Sequence, residues 1–162
     1  MVDVRTTTPN LGLIKFSRGH PVTDTDLATN MDAIDAGVLL IAKAIYDFDV
    51  DGGAMSAITA ASNTVIPDNA VILGGSINST TAVLSGGAGT VSIGTSAGSS
   101  ATSIIGVTAK GTYSLNATLD ISATFAAQVK MTAAGSILFT IGTADLTAGV
   151  IEVTLLYYVA AA

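Results

Sequence analysis

Three aspartates at alternate positions, Asp47, Asp49 and Asp51, followed by Gly52, spell D-x-D-x-D-G. That pattern opens a loop in which alternate carboxylates converge on a calcium ion. A complete loop of this kind carries a bidentate Glu at its twelfth position, where Ile58 stands here. Phe48 and Val50 between the acids fit a strand with an acidic exposed face instead, so Asp47, Asp49 and Asp51 are assigned no metal.

His20 is the single histidine, held between Gly19 and Pro21, and the chain has no cysteine. Zinc sites and catalytic triads are multi-residue devices, so His20 is read as structural. Serine is abundant, but no G-x-S-x-G elbow is read among the serines. The glycine runs GGSINS and GGAGTVSIG do not give GxxxxGK followed by Ser or Thr, and the second reads as a turn entering a strand rather than a phosphate-cradling helix. Asn78 and Asn116 head N-S-T and N-A-T triplets that match the glycosylation sequon. The N-terminus shows no basic region followed by an apolar one, so no secretory signal is read, the chain is expected to begin life in a cytoplasm, and the triplets are taken as chance. No catalytic, cofactor-binding or metal residue is therefore assigned, and the chain is read as not an enzyme.

The elements that would position any site follow from composition. The chain of 162 residues suits one domain with an appendage. Hydrophobic residues make up 49% and charged residues only 11%, well below the roughly 25% charge of an ordinary soluble domain. A membrane does not explain this. The run Val38 to Ala42 is cut by Lys43, far short of the roughly 20 residues of a helical span. Self-association is the better explanation. A net charge of −6 argues against nucleic acid, whose binding needs a basic surface.

Charge also divides the chain. Residues 1–51 hold twelve charged side chains, and the remainder only Asp68, Lys110, Asp120, Lys130, Asp145 and Glu152. The first stretch, TTTPNLGLIKFSRGHP, keeps Leu11, Leu13, Ile14 and Phe16 between turn residues. It is read as an extended arm that orders by docking on a neighbour, or as a strand tucked against its own domain. In VTDTDLATNMDAIDAG, Thr23 is a candidate N-cap, Leu27, Met31 and Ile34 fall at helical spacing, and Gly37 suits the position just past the end. A short helix is expected there. From Val38 to Val50 a period of two predicts a long first strand.

Beyond DGG, short apolar segments alternate with turn residues, the pattern of a sandwich or jelly roll. Strands are expected over 55–59, 70–78, 81–84, 90–94, 102–107, 113–119, 127–132, 136–143 and 149–159. In the last, alternation places Ile151, Val153, Leu155, Tyr157 and Val159 towards the core. Leu156 and Tyr158 then face outwards or into a partner.

The segments YDFDVDGGAMSAIT, IPDNAVILGGSIN, GTVSIGTSAGSS and TADLTAGVIEVTLLYYV resemble β-sandwich virion proteins of tailed bacteriophages, including head decoration and head-fibre proteins. The resemblance spans roughly residues 45–159, and its elements are a DGG turn, an I-P-x-x-A-V-I strand entry, a Gly/Ser-rich sheet and an L-T-A-G turn. It implies a role on the particle surface, commonly as a homotrimer, anchored to the major capsid protein or another virion structural protein.

The sequence thus leads to a mainly β fold: a β-sandwich or jelly-roll domain over 38–162, preceded over 1–37 by an extended arm and one short α-helix that anchor it. The expected role is capsid decoration or head fibre, located in the virion. The alternative is a tail-fibre tip or adhesin that recognises a host surface glycan.

Overall fold

Period-two alternation is what builds the central strands. Ala42, Ala44 and Tyr46 are buried, and Ile151, Val153, Leu155 and Tyr157 are buried opposite them on the last strand, as the sequence predicts. A computed structural model of the chain describes residues 39–97, 104–121 and 129–160, together with the backbone of one pair of short strands nearer the start. Those are β1 (Thr6–Thr7) and β2 (Ile14–Lys15), which pair antiparallel with each other. The helix expected over 23–36, His20 and the rest of the arm lie outside the described residues.

The remaining strands are β3 (Leu40–Asp47), β4 (Ala57–Ile58), β5 (Ser62–Asn63), β6 (Ala70–Ser85), β7 (Thr90–Thr95), β8 (Ile105–Ala109), β9 (Thr118–Ile121), β10 (Val129–Lys130), β11 (Ile137–Gly142) and β12 (Leu146–Val159). They form two antiparallel sheets. One has the order β10-β6-β12-β3-β5, with β9 also paired to β6, and the other has the order β4-β11-β7-β8. A single core spans both, with Ile72, Ile77, Ile151 and Leu155 from the larger sheet and Val91, Ile93, Ile137 and Phe139 from the smaller. Tyr46 and Phe139 meet between the sheets with ring centroids 5.6 Å apart, tilted by 37°, a favourable separation for an aromatic pair. The mainly β sandwich expected from the sequence is the fold observed.

Element boundaries differ from the expectation in several places: β5 was not expected, β8 runs to Ala109 rather than Val107, and four further differences have a local physical cause. The first strand stops at Asp47 rather than Val50, because a single helical turn, α1 (Phe48–Asp51), follows it. The Asp47 carboxylate accepts from the Asp49 N–H at 3.0 Å, and Gly52, at φ 76°, closes the turn onto the Phe48 carbonyl; an acidic cap and a left-handed glycine are ordinary helix ends. The segments 70–78 and 81–84 are one strand, because β12 is long enough to pair with both. The strand expected from Tyr113 starts only at Thr118, since a 3₁₀ turn at Lys110–Thr112 and Asn116 at φ 60° turn the chain first. The last strand begins at Leu146 rather than Gly149, with irregular register against β6 through that glycine. Gly149, at φ 138°, packs against Val83 closely enough that a Cβ there would lie 2.8 Å from Val83 Cγ2.

Candidate functional site

The acidic motif is a structural knot. Asp47 caps α1, while the two carboxylate oxygens of Asp51 accept from Asp47 N–H at 3.0 Å and from Ala61 N–H at 2.8 Å. The Asp47 and Asp51 oxygens aimed at backbone donors hold the β3–β5 connection together. Among the described residues no group of three His, Cys, Asp or Glu side chains is placed to hold a metal. The Tyr46 hydroxyl donates to the Gly52 carbonyl at 2.8 Å beneath the same turn. Burial first, then the charges of Asp51 and Asp47, push its phenol up to about 12.

Sequence reasoning passed over one serine. Gly94, Thr95, Ser96, Ala97 and Gly98 have the G-x-S-x-G spacing of a nucleophile elbow, which requires a sharp strand-to-helix turn and a histidine partner. Ser96 follows β7, but its hydroxyl accepts from the Ser136 N–H at 2.8 Å, and its own N–H donates to the Ser136 carbonyl at 2.9 Å. It ties β7 to the start of β11.

The two sequon triplets, distant in sequence, come together. Asn78 pairs with Thr118 across β6 and β9, and Asn78, Thr80, Asn116, Thr118 and Glu152 line a polar cleft of about 330 Å³. Amides, hydroxyls and one carboxylate form a set that hydrogen-bonds readily. No aromatic ring lines it.

The outer face of the larger sheet carries the other feature. Across β3 and β12, Ile41 stands opposite Leu156, Lys43 opposite Thr154, and Ile45 opposite Glu152. Partners in an antiparallel pair share a face, and the face carrying Ala42 and Leu155 is the core. Ile41 is 56% exposed and Leu156 36%, while Leu39, 55% exposed, lies one step beyond the start of β3, where the register sets it beside Tyr158. On the other flank of Leu156 stands Gly74 of β6. The face is therefore apolar at the end where β3 begins and mixed from Lys43 onward, with Lys43, Thr154 and Glu152 beside Ile45. The sequence foresaw Leu156 and Tyr158 on it; Ile41 was not singled out, although the period of two from Val38 sets it on the same face as Lys43. Among the described residues no helix is long and apolar enough to cross a membrane.

With fold and faces defined, the chain can be set beside known structures. A chain in the acid-stable capsid structure of Helicobacter pylori bacteriophage KHP30 shares its fold, with a TM-score of 0.55 at 13% identity, covering 78% of this chain and 91% of that one. A chain in the capsid of Ralstonia phage GP4 gives 0.54 at 16% identity over 90% and 93%. One in the capsid asymmetric unit of cyanophage Pam1 gives 0.51 at 16% over 76% and 86%. At these identities the likeness is one of fold. No protein-family description and no curated sequence matches the chain.

Proposed function

We propose that the chain is a structural protein of a bacteriophage particle, a capsid-decoration or head-fibre protein that self-associates through its β domain, as a trimer, and attaches through residues 1–37. The observation that carries this reading is the fold shared, over 76–90% of this chain and 86–93% of theirs, with chains from three phage capsid structures. Asp47, Asp51 and Ser96 are occupied in holding the backbone, which is consistent with a building block. The concentration of charge before Gly52 supports assigning the front end to a different protein, the major capsid protein or another virion component, and the charge-poor sandwich to copies of itself.

Deleting residues 1–22 tests that division of labour. Binding to purified particles should be lost while the truncated protein remains folded and oligomeric. A truncated protein that still decorates particles would refute the anchoring role.

One observation favours a second reading, a tail-fibre tip that recognises a glycan. The Asn78, Asn116 and Glu152 cleft offers the amides and carboxylate that sugar hydroxyls bond to, although it lacks the aromatic platform usual in such sites. A glycan array separates the two readings, because a decoration protein need show no ligand.

A further inference from the structure

We propose that a second copy of this chain docks on the outer face of the larger sheet, over the rows Leu39–Tyr158 and Ile41–Leu156. The inference rests on the self-association reading and names the surface that performs it.

The face has a shape that suits itself. Ile41 and Leu156 stand side by side as an apolar ridge, while Gly74, opposite Leu156 on the β6 flank, adds no side chain beside it. A ridge next to a trough lets the ridge of one copy enter the trough of the next, the head-to-tail contact that a closed trimer requires.

Charge points the same way. The chain carries a net −6, so copies repel at most approaches. Ile41 and Leu156 carry no charge; the Leu39–Tyr158 row runs on through Val71 to Lys130, and the rows beneath hold Lys43, with Asp120 on the β9 flank, and Glu152, two charges of each sign in all. Two such faces meet without an excess of either sign, and the opposite charges at the border favour one orientation over others.

The edge of β3 adds a directional element. β5 pairs only with Ala44 and Ile45, and Thr64 closes Lys43 by accepting from its N–H at 3.1 Å and donating to its carbonyl at 2.8 Å. Backbone groups two residues apart point the same way along a strand, so the N–H and C=O of Ile41 face that same side. Among the described residues no strand pairs with them there. An edge without a partner among the described residues, beside an exposed apolar row, is where another chain adds.

The test is sedimentation of the full-length protein and its single variants Leu156→Asp and Ile41→Asp, with Leu84→Asp as the control. Leu84 is similarly exposed, at 53%, but lies near the far end of β6, opposite Ala148. The wild type and the Leu84 variant should sediment as the same oligomer. The two face variants should sediment as monomers at the same concentration, their dissociation constant raised at least about a hundredfold, with unchanged circular dichroism. Hydrogen exchange of the wild type guards against a variant that fails to fold: amides 39–43 and 154–158 should gain protection as protein concentration rises. A wild type that is monomeric throughout would overturn both the self-association reading and this surface. An oligomer that survives Leu156→Asp with no concentration-dependent protection would overturn the surface alone. Loss of particle binding with the oligomer intact would assign the face to the shell protein and equally overturn the proposal.

Discussion

The side-chain amide of Asn63 bonds in both directions to the backbone of Ile137, donating to its carbonyl at 2.7 Å and accepting from its N–H at 3.2 Å. Asn63 lies on β5 at the edge of the larger sheet and Ile137 opens β11 in the smaller one, so one side chain imitates a strand residue and closes that flank of the sandwich. Ile137 is fully buried, which makes its backbone groups costly to leave unpaired. Asn63→Ala should lower stability in urea by about 2–3 kcal/mol, taking about 1 kcal/mol or more for each lost bond. A change below about 0.5 kcal/mol would show that the amide closes nothing.

Alkaline pH should weaken the fold through Tyr46. Its phenol titrates near 10 when unfolded and is held at about 12 when folded, so above pH 10 the unfolded state gives up its proton first. The stabilisation is complete below pH 10 and is lost as pH rises towards 12. Denaturation midpoints should fall across that window more steeply for the wild type than for Tyr46→Phe. Parallel curves would show that Tyr46 does not report the pH dependence.

Tyr113 is fully buried, and among the described residues its hydroxyl, though close to Thr108, makes no hydrogen bond of good geometry. Removing an unsatisfied buried hydroxyl while keeping the ring recovers its desolvation cost. Tyr113→Phe should therefore raise stability by about 1 kcal/mol, read as a higher melting temperature. A lower one would mean the hydroxyl is paired in the protein.

Much of the sandwich was legible because burial leaves a period-two trace. The core face of β12, Ile151 through Tyr157, follows directly from its alternation. The end of β3 was not legible in that way, since Phe48 and Val50 continue the apolar alternation, and what stops the strand is the Asp47 cap and the conformation of Gly52. The polar cleft was hidden for a different reason. Asn78 and Asn116 become neighbours only through β6–β9 pairing, and long-range register is not written in either triplet. Ser96 had a recognisable spacing, and only its bonds to Ser136 show what it does.

Asp51 should behave as a structural acid rather than an ion ligand. Asp51→Ala removes the acceptor for Asp47 N–H and Ala61 N–H, two charge-assisted bonds worth about 1.5–3 kcal/mol each when they form in full, and less where the groups stay in contact with water. A destabilisation of about 2 kcal/mol is expected, with the wild-type melting temperature unmoved by millimolar calcium. A rise in melting temperature on adding calcium, abolished by the substitution, would restore the metal reading.

The central claim, that this chain is a structural part of a phage particle, is tested most directly by gold-labelled antibody against the β domain on purified particles viewed by electron microscopy. The account predicts regular labelling over the particle surface, with the chain recovered from those particles in fixed proportion to the major capsid protein. Unlabelled particles, with the chain found only free in the lysate, would contradict it.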